Sequence, residues 1–113
     1  MIKLYGLKNC DTCKKAMKAL DAGGVDYTFV DIRAEADLKT LAPRWIKAVG
    51  AGPLVNTRST TWRGLDDTAR AKAESDPAGL LAANPTLVKR PVIEFGDQVF
   101  GGWTKDAQAA LGV

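Results

Sequence analysis

Cys10 and Cys13 are the only cysteines in this chain of 113 residues, which contains no histidine. Two thiols separated by Asp11-Thr12 can carry redox chemistry, hold a metal or pack as small hydrophobes. The lack of imidazole removes the Ser-His-Asp triad, the Cys-His nucleophile pair, His-ligated metal or haem, and the commonest general base. Zinc would need two further ligands, which only carboxylates or a second subunit could supply, so no metal is expected. Catalysis must run on cysteine, arginine, lysine or carboxylate.

The elements around the thiols make them unequal. Ile2-Lys3-Leu4-Tyr5 alternates apolar and polar residues and predicts a short strand that stops at Gly6. Cys13, Ala16, Met17 and Leu20 follow the i, i+3, i+4, i+7 stripe of an amphipathic helix that ends near Gly23-Gly24, with Lys14, Lys15 and Lys18 on its other face. Val25 to Ile32 is rich in β-formers, which completes a βαβ unit with two parallel strands. Cys10 then stands where the helix opens. Unpaired N–H groups and the positive end of the helix dipole stabilise a thiolate there. Cys13 lies on the apolar stripe and is expected to be buried and less reactive. Cys10 is therefore the attacking thiol and Cys13 at most a resolving one.

Leu38, Leu41, Ala42, Trp45, Ile46 and Val49 repeat at helical spacing and run to Gly50. Thr40 as N-cap would place Pro43 in the first turn, where its missing N–H costs nothing. Residues 50–64 read as loop with short turns, followed by short helices over Leu65 to Ala73 and Pro77 to Ala83, the second capped by Asp76. Val92 to Phe95 and Gln98 to Phe100, joined by Gly96-Asp97, read as a hairpin, and Thr104 to Leu111 as a final helix. Two arginines stand out. Arg58 sits in the polar stretch Asn56-Thr57-Arg58-Ser59-Thr60, and Arg90 precedes Pro91 at the entry to the third strand, a setting suited to a cis peptide. Guanidinium groups bind oxyanions through paired hydrogen bonds and lower the pKa of a nearby thiol.

The overall composition is unremarkable, with 46% hydrophobic and 26% charged residues and a formal charge of +3. Basic residues are spread along the chain without a long run, so direct nucleic-acid binding is not expected. No apolar stretch reaches the roughly 18–20 residues of a membrane helix, and Met1 to Tyr5 does not open a signal peptide, so a cytoplasmic protein is expected. No linker or repeat interrupts the chain, which predicts one domain over residues 1–113.

The order βαβ, helices, ββα resembles a thioredoxin-like α/β fold with a helical insertion between the βαβ unit and the C-terminal ββα unit. Tyr5-Gly6-Leu7-Lys8-Asn9-Cys10-Asp11-Thr12-Cys13-Lys14-Lys15-Ala16, with Leu87-Val88-Lys89-Arg90-Pro91-Val92-Ile93, is similar to the arsenate reductase (ArsC) family. Asn56 to Arg63 and Leu65-Asp66 point to its Spx/YffB-like branch. The resemblance implies that Cys10 is the catalytic cysteine and that Arg58 and Arg90 are two of the family's oxyanion-holding arginines. It also implies glutathione as co-substrate, glutaredoxin as a possible partner and no bound cofactor. Lys8, Asn9, Thr12 and Pro91 are candidate substrate-binding residues. The family's third arginine, after the hairpin turn, has no counterpart in Asp97 to Trp103, so arsenate reduction is expected to be weak or absent. Glutathione-dependent thiol reduction is the function expected first. The alternative is an Spx-like redox-sensing transcriptional regulator that binds RNA polymerase and is switched by a disulfide between Cys10 and Cys13.

Overall fold

The computed structural model describes residues 1–113. In chain order it contains β1 (Ile2–Gly6), α1 (Asp11–Ala22), β2 (Thr28–Asp31), α2 (Leu38–Val49), α3 (Thr60–Arg63), α4 (Asp67–Ser75), α5 (Pro77–Ala83), a 3₁₀ turn (Pro85–Leu87), β3 (Val92–Phe95), β4 (Gln98–Gly101) and α6 (Lys105–Leu111). This is the expected α/β order, a βαβ unit and a ββα unit with helices inserted between them. Residues Met1–Ala36 and Arg90–Val113 pack as one unit, and Asp37–Lys89 as another.

In the first unit the strands form a mixed sheet in the order β2-β1-β3-β4. β1 and β2 run parallel with Leu4 opposite Phe29, while β3 lies antiparallel to both β1 and β4. The period-2 pattern of β1 and the helical stripe of α1 meet in one core of Ile2, Leu4, Ala16, Leu20, Ile93 and Leu111, with Met17, Phe29 and Trp103 packed at its margin. Burying a leucine fully stabilises a fold by about 1.5–3 kcal/mol, so this stripe anchors α1 against the sheet. Thr104 caps α6 by accepting a 3.1 Å hydrogen bond from the Ala107 N–H.

In the second unit α2 packs on α5, burying Leu38, Ala42 and Trp45 of α2 and Leu80 and Leu81 of α5. Segments 54–56 and 87–89 are tied by a Val55–Val88 bridge and by bonds from Asn56 N–H to the Leu87 carbonyl (2.9 Å) and from Lys89 N–H to the Leu54 carbonyl (2.7 Å).

Some boundaries differ from the sequence reading. β2 starts at Thr28 rather than Val25, because Val25 N–H donates to the Leu20 carbonyl and closes the turn after α1. That turn passes through Gly24 at φ +68°, a conformation that favours glycine. α2 starts at Leu38, not after Thr40, and Pro43 lies inside it. The Asp37 carbonyl accepts from both Thr40 N–H (3.1 Å) and Leu41 N–H (2.9 Å), so the first turn is closed before proline is reached and only one helical donor is lost. Within the expected loop, Ser59 caps the single turn of α3 by accepting from Trp62 N–H. Leu65 belongs to the turn closing α3, and Asp66 rather than Leu65 opens α4, accepting from Ala69 N–H at 2.7 Å.

Candidate active site at Cys10

β1 ends at Gly6, and Leu7 to Asn9 turn the chain into α1. Cys10 N–H donates to the Leu7 carbonyl (3.2 Å), and the Cys10 carbonyl accepts from Lys14 N–H (2.9 Å), which makes Cys10 the N-cap of α1. The position expected from the helical stripe is thus the one observed. The side chain is partly buried. Its sulfur stands at the first turn of α1, where the Cys13 N–H is a donor that favours a thiolate.

The two thiols titrate in opposite directions. Burial works to raise Cys10. It is outweighed by hydrogen bonds from the Cys13 backbone and the Cys13 thiol, then by the charge and hydrogen bond of Arg90, and the net result is a lowered pKa. Cys13, fully buried on the inner stripe of α1, is pushed up to about 12, first by burial and then by its hydrogen bond and charge interaction with Cys10, against a lowering backbone bond from Leu7. Within this unit, then, one thiol lies below its ordinary value and the other well above it.

Cys13 is seated by a glycine. A Cβ placed on Gly6 would stand 2.5 Å from the Cys13 sulfur, closer than packed atoms come. Gly6→Ala is expected to lower stability by about 1–3 kcal/mol through overpacking. Adding Cys13→Ala should recover most of the loss. Thermal unfolding of the single and double variants checks this, and a Gly6→Ala protein as stable as wild type would contradict the close fit.

Arg90 reaches Cys10 from the segment just before β3, and its peptide bond to Pro91 is cis. Pro91 is fully buried, and its carbonyl accepts from Gly102 N–H at 2.8 Å. Lys8, Asn9 and Thr12 are exposed around the loop. Lys8 lies close enough to Asp31 to help hold that carboxyl below its usual range, after the Ala34 and Arg33 backbone N–H groups that it accepts from. Arg58 belongs to the other unit, in a turn where its N–H donates to Asn56 Oδ1 at 3.1 Å. The residues of the first unit that converge on the sulfur are Cys13 and Arg90. No three His, Cys, Asp or Glu side chains come together as a set of metal ligands.

Two polar arrangements were not legible beforehand. Tyr5 O–H donates to Glu94 Oε1 at 2.8 Å, both residues being buried on one face of the sheet. A glutamate inside an apolar strand, with a tyrosine on another short strand, was the only available signal. In the second unit Arg70 stacks over Trp62, its guanidinium carbon 5.7 Å from the ring centroid, and donates to the Trp62 and Arg63 carbonyls. Trp62 is thereby part of a brace on α3, while Trp45 is core and Trp103 packs on the core of the first unit.

With this geometry established, comparison with known proteins gives a consistent result. The model of the ArsC family matches residues 5–111. A solved structure of a protein named YFFB superposes with a TM-score of 0.88 at 37% identity, covering 98% of each chain. An uncharacterised protein of Haemophilus influenzae is 42% identical over 98% of this chain and 99% of its own. The global transcriptional regulator Spx 2 of Bacillus anthracis is 26% identical over 82% of this chain and 72% of its own.

Proposed function

The chain belongs to the ArsC family, and from that premise we propose that it is a glutathione-dependent thiol oxidoreductase with Cys10 as its nucleophile. The observation that carries this reading is the contrast between the thiols, Cys10 lowered beside Arg90 and Cys13 pushed up to about 12. In the first step the Cys10 thiolate attacks the glutathione sulfur of a mixed disulfide. A bond between Cys10 and glutathione forms, the old S–S bond breaks, and the released thiolate takes a proton from solvent. A second glutathione thiolate then attacks the glutathionyl sulfur, giving oxidised glutathione and restoring the Cys10 thiolate. The net reaction converts the mixed disulfide and one free glutathione into the free thiol and oxidised glutathione, an exchange of one disulfide for another that needs no outside oxidant or reductant.

Arg90 stabilises the thiolate, and Arg58, Lys8, Asn9, Thr12 and Pro91 are the further groups proposed to meet substrate. The whole chain, residues 1–113, is taken as one functional ArsC-like domain. The test is steady-state turnover of a glutathione mixed disulfide coupled to glutathione reductase. A wild-type protein with no turnover above background would end this reading. Arsenate reduction with glutathione and glutaredoxin supplied is expected to be weak or absent, because no basic residue lies between Asp97 and Trp103 to supply a third cation. An arsenate rate comparable with the disulfide rate would contradict that expectation.

The Cys13 thiol hydrogen-bonded to Cys10 favours a second reading. Oxidation of the pair to a disulfide would make the chain a redox switch of the kind its Spx relative suggests, with RNA polymerase as partner. The switch requires Cys13, whereas the monothiol cycle above does not. Redox-dependent capture of RNA polymerase, lost in Cys13→Ser and accompanied by no turnover, would favour the regulator.

A further inference from the structure

The β1–β3 ladder runs from Ile2–Phe95 through Leu4–Ile93 and ends at Tyr5–Val92. Pro91 and Arg90 therefore continue beyond its last rung, and it is from there that Arg90 reaches the Cys10 sulfur. On the β4 side this segment is held by backbone, Gly102 N–H donating to the Pro91 carbonyl at 2.8 Å. On the β1 side the end of the ladder is spanned by side chains. Successive strand residues alternate between faces, so Leu4 and Ile93 enter the core under α1 while Tyr5 and Glu94 lie on the other face. Tyr5 stands opposite Val92 and Glu94 opposite Lys3. The 2.8 Å bond from Tyr5 O–H to Glu94 Oε1 is thus a diagonal across the last two rungs of that face.

Glu94 is the one charged side chain that the chain buries, 9% exposed beside a tyrosine at 4%. An apolar residue would fill this place without desolvating a carboxylate, so a glutamate here costs stability unless it is bonded, and the bond specifies how the strands lie. Tyr5 leads directly into Gly6, which seats Cys13 and whose carbonyl accepts from Ile32 N–H at 2.9 Å. One partner is therefore built into the strand that leads to the thiols, and the other into the strand that follows Arg90.

We propose that Tyr5 and Glu94 are a positioning pair that clamps the open end of the β1–β3 ladder and so fixes the approach of the Arg90 guanidinium to the Cys10 sulfur. The proposal rests on the reading of Cys10 as the reacting thiol and Arg90 as its partner. The side chains that lower the Cys10 thiol are Cys13 and Arg90, so Tyr5 and Glu94 act through the guanidinium. A hydrogen bond weakens steeply when it is stretched or bent, which makes the Arg90 contact sensitive to small movements of its segment.

The experiment follows alkylation of Cys10 by iodoacetamide against pH in the full chain, with the modified residue identified by mass spectrometry and folding checked by thermal unfolding. Tyr5→Phe removes only the hydroxyl. It should move the curve to higher pH and slow alkylation at pH 7 about threefold, less than Arg90→Ala does. Glu94→Gln keeps an oxygen to accept from Tyr5 and should stay close to wild type, whereas Glu94→Ala should shift as Tyr5→Phe does. Tyr27→Phe, a phenol elsewhere in the same unit, should change nothing. With Arg90→Ala already present, adding Tyr5→Phe should produce no further shift. A Tyr5→Phe curve that superimposes on wild type, a Glu94→Gln shift as large as that of Glu94→Ala, or an undiminished Tyr5→Phe shift without Arg90 would each overturn the pair. Should Glu94→Ala fail to fold, Tyr5→Phe with and without Arg90 decides alone. Mixed-disulfide turnover by wild type with no Tyr5→Phe shift refutes the pair alone. An Arg90-dependent Tyr5→Phe shift without turnover supports the pair and refutes the oxidoreductase.

Discussion

Cys10→Ser should reduce turnover of a glutathione mixed disulfide by about 10³-fold or more, to the uncatalysed background, as removal of a covalent nucleophile does. A serine hydroxyl at the same N-cap is not ionised by an arginine and a helix end, so the substitution removes the reacting atom while leaving α1 capped. Serine is a favoured N-cap residue, and the folded state should hold. Cys13→Ser and Cys13→Ala should behave differently. The Cys13 sulfur is buried and pushed up to about 12, so at neutral pH it cannot act as a thiolate, and a monothiol cycle loses from it only the hydrogen bonds that help ionise Cys10. A fall of a few-fold is expected, followed by coupled assay alongside circular dichroism. If Cys13→Ser is as inactive as Cys10→Ser while remaining folded, the cycle runs through a disulfide between the two residues and the monothiol step is wrong.

Arg90→Ala is expected to carry the second largest loss, and its pH dependence identifies the cause. With Arg90 present, the Cys10 thiol lies below its ordinary value of 9.0. Removing the guanidinium takes away one charge interaction and one hydrogen bond that favour the thiolate, while burial still opposes it, so the midpoint moves up. At any pH below that midpoint each unit of rise cuts the thiolate fraction about tenfold. The remaining thiolate is more nucleophilic by roughly threefold per unit, which leaves a net loss of about threefold per unit in intrinsic rate. Loss of an anion-binding group adds a further factor, since a charge-assisted hydrogen bond is worth about 1.5–3 kcal/mol. For a rise of one unit the combined effect on kcat/KM near pH 7 is about 40–500-fold. Alkylation with iodoacetamide as a function of pH measures the first part without substrate. The curve should shift to higher pH in Arg90→Ala, with a smaller shift in Arg90→Lys, which keeps a charge but not the planar fork. Raising the pH should recover alkylation in the variant and only part of kcat/KM. Superimposable alkylation curves for wild type and Arg90→Ala would show that the arginine does not act on the thiol.

The fold could be read ahead of the structure where a local pattern had one solution. The alternation of Ile2 to Tyr5, the stripe of Cys13, Ala16, Met17 and Leu20, Asp76 before Pro77, and Gly96-Asp97 between two β-rich runs each became the expected element. Misplaced boundaries lie where backbone hydrogen bonds compete with propensity. Val25 is a good strand residue spent on closing a turn, and Pro43 is accommodated because the Asp37 carbonyl takes two donors in the turn before it. Of the site, the position of Cys10 at a helix start and the burial of Cys13 were legible from register alone. The Gly6 contact was not, although the glycine was visible, because strand spacing does not reveal which side chain fills the space above it.

By itself the sequence determined the kind of chemistry and the inequality of the thiols. Without histidine, a cysteine must be activated by helix donors and cationic side chains, and a three-residue offset on one helix turns Cys10 toward the start and Cys13 toward the core. These are short-range facts, governed by the 3.6-residue period. Only the tertiary structure decided which distant groups reach that thiol. Arg90 arrives from the far end of the chain because β3 pairs antiparallel with β1, and the same pairing buries Glu94 within hydrogen-bond reach of Tyr5. Segments 54–56 and 87–89 likewise come together through three residues of backbone pairing to place Arg58 and Lys89 on one cavity. Pairing register between segments so far apart depends on the whole core closing, which no local pattern encodes.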